Sequence, residues 1–151
     1  MQIRLDDLTG PQIEALLREH MAGMLATSPK ESVHAFDIDR LRQPDVTFWS
    51  VWDGAALVGC GALKEVDRTH GELKSMRTAK PYLRKGVAAA LVEHMLGEAR
   101  RRGYRRVSLE TGSGPAFEPA QRLYERFGFR RCGPFAAYRE DPFSVFMTRE
   151  I

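Results

Sequence analysis

The sequence has few cysteines, no long hydrophobic run and little excess charge. Its two cysteines, Cys60 and Cys132, lie far apart and in no metal-binding spacing, so no metal site is expected. No stretch of about 18 apolar residues occurs, and no membrane-spanning helix is expected. The first ten residues, MQIRLDDLTG, do not contain the apolar segment of a secretory signal. We therefore expect a cytoplasmic protein with both thiols reduced.

The small net charge of +3 permits an anionic ligand without requiring nucleic acid. The densest basic run, RRRGYRR at 100–106, falls at the end of a predicted helix, where cations complement the helix dipole. Its one aromatic residue, Tyr104, does not provide the interleaved stacking surface of an RNA-binding protein. A solvated helix end is the favoured interpretation, and nucleic-acid binding is the alternative.

The hydrophobic periodicity predicts an α/β domain that spans residues 1–151. Helical spacing is found from Gly10 to Thr27, from Gly86 to Arg102 and in EPAQRLYERFG, and a short helix is predicted around Asp37–Leu41. Strands are predicted at these runs: MQIRL, the two sides of a hairpin turn at Asp53–Gly54, GELKSMRTA, RRVSLETG, FRRCGPF and FSVFMTRE. This order suggests one sheet with helices on both faces.

The run KPYLRKGVAAALVEHML, from Lys80 to Leu96, places a basic turn with one glycine directly before a helix. The first turn of a helix has unpaired N–H groups and partial positive charge, so it binds phosphate groups readily. Gly86 allows a ligand to approach the backbone, and Arg84 and Lys85 add charge. The run lacks the P-loop pattern and the Rossmann glycine triplet, so neither of those nucleotide sites is expected.

A second motif, PAQRLYERFGF, follows the strand VSLETG after a short turn. Together with the glycine turn, it makes the sequence resemble the GNAT superfamily of acyl-CoA-dependent N-acyltransferases from about Asp45 to Phe129. The residues that match the superfamily motifs are Gly86, Val87, Ala88, Ala120, Leu123, Tyr124, Gly128 and Phe129. Two positions differ: Leu83 replaces the usual arginine or glutamine, and Phe117 replaces a frequent asparagine.

The resemblance implies a mixed, mostly antiparallel sheet of about seven strands, splayed between the fourth and fifth, with helices on both faces. It also implies acetyl transfer from acetyl-CoA to an amine of a small molecule or peptide. The pantetheine arm would contact the backbone of the strand that contains Met76 and Thr78. The cofactor-binding residues implied by the resemblance are Met76, Thr78, Arg84, Lys85, Gly86, Val87, Ala88 and Ala89.

Two proton transfers are needed, and the resemblance suggests a residue for each. Tyr124 matches the tyrosine that acts as general acid toward the leaving thiolate, and the alternative is a core aromatic residue. Glu72 is the candidate general base, and the alternative is a solvated carboxylate. A strand period of two would place Glu72, Lys74 and Met76 on one face. Two other residues remain as rival bases: Glu110, which could instead pair with Arg77, and His70, expected to be a solvated loop residue.

The sequence contains few signals for the residues that bind the acceptor amine. His34, in a segment expected to cover the substrate, and Tyr138 and Arg139, before the last strand, are the candidate substrate contacts. An arginine at position 139 would suit a carboxylate. Cys60 is expected to be a buried, unreactive thiol, which favours direct attack by the amine in a ternary complex. A non-catalytic acyl-CoA-binding module remains the alternative function, and a homodimer remains open.

Overall fold

The computed structural model of the chain describes residues 1–27 and 38–151. Its strands are Gln2–Leu5 (β1), Val46–Asp53 (β2), Ala56–Asp67 (β3), His70–Thr78 (β4), Arg106–Gly112 (β5), Arg130–Cys132 (β6) and Ser144–Glu150 (β7). Its α-helices are Pro11–Thr27 (α1), Ile38–Leu41 (α2), Val87–Arg101 (α3) and Glu118–Arg126 (α4). The elements predicted from the periodicity are thus found, each within a few residues of its expected position.

The strands form one mixed sheet in the order β1-β2-β3-β4-β5-β7-β6. Every neighbouring pair is antiparallel except β4 and β5, which are parallel. The predicted fold class is confirmed. A parallel pair needs a crossover connection, and α3 supplies it between β4 and β5.

Each face of the sheet has its own hydrophobic core. On one face, α3 packs its buried side chains against the sheet through Leu91, Val92 and Met95, and Tyr124 of α4 belongs to the same cluster. On the opposite face, Ile13 of α1 packs with a second cluster. We call these the α3 face and the α1 face. None of the helices in the described ranges is long and apolar enough to cross a membrane.

The parallel strands β4 and β5 pair only at their beginnings. Their register runs from His70 opposite Arg106 to Leu73 opposite Leu109, although β4 continues to Thr78 and β5 to Gly112. The rest of each strand therefore separates from its neighbour and leaves backbone groups unpaired between them. This gap corresponds to the predicted splay between the fourth and fifth strands.

A β-bulge in β4 overturns the expected alternation of its side chains. The β3–β4 register shifts by one residue between Lys74 and Arg77, and Ser75 there has φ 55°, in the left-handed region. Met76 therefore faces α3, where its sulfur lies 2.6 Å from a Cβ built on Gly61. The prediction that Glu72, Lys74 and Met76 share a face was wrong, because the extra residue inverts the pattern after position 75.

Candidate active site

A cleft of about 1020 Å³ lies where β4 and β5 separate. Residues from both faces of the sheet line it. They belong to the second half of α1, to β3 and β4, to the turn before α3 and its first turns, to the end of β5, to the turn before α4 and α4 itself, and to the segment before β7. The cleft thus brings both motifs of the sequence to one site.

Most of the predicted cofactor residues line this cleft. These are Met76, Thr78, Arg84, Gly86, Val87, Ala88 and Ala89. Lys85 is not among the lining residues, and its Nζ lies 5.5 Å from the centroid of the Tyr82 ring. Their contacts with a cofactor stay a prediction.

Gly86 forms the N-cap of α3, with φ 84°. Only glycine adopts this conformation without strain. A Cβ built on Gly86 would meet no atom within 4 Å and would project into open space. The first turn of α3 contains Val87, Ala88 and Ala89, so this turn has no long side chain of its own that would cover its N–H groups. The helix start is therefore an accessible anion-binding position, and a pyrophosphate fits there.

The edge of β4 presents backbone groups to the gap. The amide of Ala79 donates to the carbonyl of Val58 on β3 at 2.9 Å. Successive residues of a strand direct their backbone groups to opposite sides, so the N–H groups of Thr78 and Met76 point away from β3. They face the gap because β5 does not pair with this part of β4. An extended amide-containing ligand could add to this edge as a strand would.

Tyr124 lies on the α4 side of the cleft. Its side chain is buried, and its ring makes a T-shaped contact with Phe129 at 5.8 Å between centroids. Burial raises the pKa of its phenol well above the ordinary value. The phenol is therefore protonated at neutral pH and has a proton to donate.

Glu72 lies on the α1 face of the cleft and is buried, with 3% of its surface exposed. The hydroxyl of Tyr138 donates a hydrogen bond of 2.6 Å to its Oε2. Lys74 Nζ lies 4.0 Å from the same oxygen. The alternative interpretation of Glu72, a solvated carboxylate, is thus wrong, because the loop that carries Tyr138 covers this residue; its role as a base stays a prediction.

The two rival bases occupy different surroundings from those expected. Glu110 lines the cleft and accepts a hydrogen bond of 2.7 Å from the hydroxyl of Ser144, whereas Arg77 binds Glu19 at 2.9 Å and not Glu110. His70 is not a solvated loop residue, because it begins β4, is 5% exposed and lies 2.7 Å from the hydroxyl of Ser108. Desolvation lowers the pKa of its imidazole.

The loop between β6 and β7 closes the α1 face beside Glu72. Phe135 lies 5.6 Å from the ring of His70 and 6.0 Å from that of Phe146, measured between centroids. Tyr138 packs against both Phe135 and Phe146, at 5.1 Å and 5.5 Å. This aromatic cluster fixes Tyr138 where it meets Glu72.

Cys60 lies beside the cleft but is completely buried. Its Sγ is 3.5 Å from the carbonyl oxygen of Ser75. Burial, the largest cause, raises the pKa of its thiol to about 12. Since the thiolate is the nucleophilic form, the thiol is unreactive at neutral pH, in agreement with the inert role expected for it.

The structure does not place the other two candidate substrate residues, Arg139 and His34, in the cleft. Arg139 is exposed and is not among the residues that line the cleft, so its contact with a carboxylate stays a prediction. His34 lies outside the described residues. Phe117 lines the cleft and covers Gly112: a Cβ built on that glycine would lie 2.2 Å from its ring. The position that often carries asparagine thus provides apolar surface.

Sequence reasoning missed Lys74 and Arg77 as residues of the site. Both line the cleft on the α1 face. The sequence signal, two cations three residues apart, predicts opposite faces of a regular strand. Only the bulge at Ser75 places them on the same face.

Comparison with known proteins agrees with the motifs and the splayed sheet. The sequence model of the acetyltransferase (GNAT) family matches residues 13–129, and the chain belongs to this family. It is 57% identical to the uncharacterized N-acetyltransferase YsnE of Bacillus subtilis (strain 168), over 100% of both chains. It is 37% identical to the IAA acetyltransferase of Azospirillum brasilense, over 82% of this chain and 80% of that one.

Solved structures share the fold. A GNAT family acetyltransferase from Elizabethkingia anophelis with acetyl-CoA bound has a TM-score of 0.72 at 18% identity, covering 99% of this chain and 97% of that one. A Bacillus subtilis acetyltransferase in complex with CoA has a TM-score of 0.73 at 18% identity, covering 99% and 98%. The family match and the relatives named N-acetyltransferase show that the chain is an enzyme of the N-acetyltransferase class, as the two motifs predicted.

Proposed function

We propose that the protein transfers an acetyl group from acetyl-CoA to an amine by direct attack in a ternary complex. The observation that carries the proposal is one cleft that combines an open helix start at Gly86, the unpaired edge of β4, and the side chains of Tyr124 and Glu72. These are the groups that binding an acyl-CoA and moving two protons require.

The cofactor side would be held mainly by backbone groups. The N–H groups at the start of α3 suit the pyrophosphate, and those of Met76 and Thr78 suit the amides of the pantetheine arm. Leu83 is apolar and 55% exposed, so it adds no charged contact to phosphate. A backbone N–H of β4 is also suited to bind the oxyanion that forms when the amine attacks the thioester carbonyl.

Glu72 would act as the general base, because an alkyl amine is protonated at neutral pH. Keeping an amine of pKa near 10.4 neutral at pH 7 costs about 4–5 kcal/mol. The ammonium first loses one proton to a carboxylate beside it, directly or through water, and that proton passes to solvent. The neutral amine then attacks, and the same carboxylate accepts the second proton of the nitrogen after the N–C bond has formed. Tyr138 holds that carboxylate in a fixed position through its 2.6 Å hydrogen bond.

Tyr124 would return a proton to the other side of the reaction. When the tetrahedral intermediate collapses, the C–S bond breaks and the electron pair remains on the sulfur of CoA. The neutral phenol of Tyr124, which α4 contributes to the cleft, would donate its proton to that thiolate. The products are the acetylated amine and CoA as a free thiol.

The test is acceptor-dependent release of free thiol from acetyl-CoA, with mass spectrometry of the products. The panel would contain alkyl amines, free amino acids and short peptides. We expect saturable turnover with a subset of them and a marked decrease in the Tyr124→Phe variant. Tight acetyl-CoA binding without turnover on any amine would instead favour the non-catalytic acyl-CoA-binding module.

Three further points stay predictions: that the donor carries an acetyl rather than a longer acyl group, that the protein is cytoplasmic, and that it forms a homodimer. The sequence does not identify the acceptor amine. The donor can be tested in the same assay, because acetyl-CoA and a longer acyl-CoA release the same thiol.

A further inference from the structure

Two cations lie together on the acceptor side of the cleft. Lys74 is opposite Ala62 in the β3–β4 register, and Arg77 is opposite Cys60. Directly opposed residues of antiparallel strands place their side chains on the same face. Ala62 and Cys60 both belong to the α1-face cluster, so Lys74 and Arg77 project toward α1. Their faces would differ without the bulge at Ser75.

Both cations have hydrogen-bonding capacity left over. The only ionic contact of Lys74 with the described residues is the 4.0 Å approach to Glu72. Arg77 donates from Nη2 to Glu19, and its buried Nε has no hydrogen-bond partner. Each side chain is 23% exposed, so each has lost much of its water. Partly desolvated cations without full partners favour the binding of an anion.

The position of the two cations relative to Glu72 indicates which anion. We propose that Lys74 and Arg77 form a carboxylate subsite, and that the acceptor is an α-amino acid or another amine that carries a carboxylate close to its nitrogen. This inference rests on the proposed function. A guanidinium and an ammonium together suit a carboxylate, because both provide charged N–H donors.

The spacing explains the preference for an α-amino acid. Lys74 Nζ lies 4.0 Å from Glu72 Oε2, so the base and the first cation are neighbours on the cleft wall. An acceptor that contacts both must carry its amine and its carboxylate close together. Arg77 lies farther along β4, on the same face, and completes the subsite. Lys74 and Arg77 would thus bind the carboxylate for which the sequence suggested Arg139.

The test is a cycle of enzyme and acceptor changes. Three acceptors are compared: an amino acid that turns over, its carboxamide, and the amine that lacks the carboxyl group. The enzymes are the unaltered protein, Arg77→Gln, Lys74→Gln and the control Arg18→Gln. Arg18 is 79% exposed and pairs with Glu14 on the outer surface of α1, so its replacement changes the net charge and removes one surface ion pair.

We expect the unaltered enzyme to prefer the amino acid over its carboxamide by about tenfold or more in kcat/KM. Arg77→Gln and Lys74→Gln should each lower kcat/KM for the amino acid by about tenfold to a hundredfold. In Arg77→Gln the values for the carboxamide and the simple amine should change by less than about threefold, as should all values for Arg18→Gln. In Lys74→Gln, which also alters the surroundings of Glu72, the loss for the amino acid should exceed the loss for the other two acceptors by about tenfold. Acetyl-CoA affinity should remain unchanged in every variant.

Equal losses for all three acceptors would overturn the proposal, because the cations would then be structural. A fall in acetyl-CoA affinity in both variants would overturn it as well, by assigning them to the cofactor. A dipeptide whose only carboxylate is at its C-terminus, away from the amine, tests whether the carboxylate must be close to the acceptor nitrogen. Turnover of that dipeptide at the rate of the free amino acid would also contradict the inference.

A binding measurement separates this proposal from the proposed function. The N-acetyl amino acid and its amide are titrated in the presence of CoA, and the melting temperature is followed. Stabilisation by the acid only, abolished in Arg77→Gln, supports the subsite even if no amine turns over. Equal stabilisation by acid and amide overturns the subsite while leaving acetyl transfer to other amines intact.

Discussion

The hydroxyl of Tyr138 donates a 2.6 Å hydrogen bond to the carboxylate of Glu72, across a sequence separation of 66 residues. Burial, followed by the charge of Glu72, raises the pKa of Tyr138, so its phenol remains a donor at neutral pH. The bond joins the loop between β6 and β7 to the β4 strand. It leaves the second carboxylate oxygen of Glu72 for other partners and gives the candidate base a fixed orientation in the cleft.

The first prediction concerns Glu72. Replacement by glutamine keeps the shape but removes the base, so turnover near neutral pH should fall by about a hundredfold or more. Activity should partly recover as pH rises toward the pKa of the amine, near 10.4 for an alkyl amine, because free amine then becomes abundant. The pH profile of kcat/KM for Glu72→Gln and the unaltered enzyme checks this.

Glu110→Gln is the matched control for Glu72→Gln, since Glu110 is the other carboxylate among the described residues that line the cleft and accepts a hydrogen bond from Ser144. It should retain the pH profile of the unaltered enzyme. If Glu72→Gln keeps the pH profile of the unaltered enzyme while Glu110→Gln loses most of its activity, Glu110 is the general base.

The second prediction concerns Gly86. Gly86→Glu should weaken acetyl-CoA binding, because a negative side chain would project into the open space at the helix start. At φ 84° any side chain also adds strain. Gly86→Gln separates the two effects, since glutamine has the size of glutamate and adds the same strain but carries no charge. Calorimetry should give a much larger loss for glutamate than for glutamine; equal affinities in both variants would contradict the placement.

The third prediction concerns Cys60. With a thiol pKa of about 12 it carries almost no thiolate at neutral pH. We expect Cys60→Ala to retain turnover within about twofold, with a loss of stability of about 1 kcal/mol from the buried atom removed. Intact-mass spectrometry of the unaltered enzyme, incubated with acetyl-CoA and no acceptor, should show no acetylated Cys60. A stable adduct at that residue, lost in Cys60→Ala, would require a covalent route instead.

Local patterns in the sequence predicted most of the fold and the cofactor side of the cleft. Helical and strand periods, the glycine before α3 and the motif around Tyr124 act over short distances, so they can be read from neighbouring residues. The order of the last strands could not be obtained in this way. β7 lies between β5 and β6 through pairings between residues distant in the sequence.

The acceptor side depended on features that the sequence does not reveal. The bulge falls at Ser75, whereas the glycine of β4, Gly71, lies four residues earlier, and the bulge decides which face Met76 and Arg77 occupy. His70 was expected to be solvated because the packing of Phe135 from a distant loop was not visible. The contact of Tyr138 with Glu72 is of the same kind, since it depends on how that loop folds over the sheet.

The last prediction concerns Tyr124 and removes only its hydroxyl. Tyr124→Phe keeps the ring and its contact with Phe129 but cannot donate a proton to the leaving thiolate. General acid catalysis contributes about 10²–10⁴-fold in many enzymes. Burial makes this phenol a weaker acid than usual, and a thiol of pKa near 8.5 is already a fair leaving group. We therefore expect kcat to fall by only about tenfold to a hundredfold, with acetyl-CoA affinity within about twofold.

Tyr104→Phe is the matched control for Tyr124→Phe. Its phenol is also buried but binds Glu65 at 2.8 Å, outside the residues that line the cleft. It should lose about 1 kcal/mol of stability and keep its kcat. If Tyr124→Phe likewise keeps its kcat on an acceptor that turns over, the hydroxyl is not the acid and Tyr124 is a packing residue. If acetyl-CoA affinity collapses while kcat survives, the hydroxyl binds the pantetheine arm, and the proton for the thiolate comes from another donor.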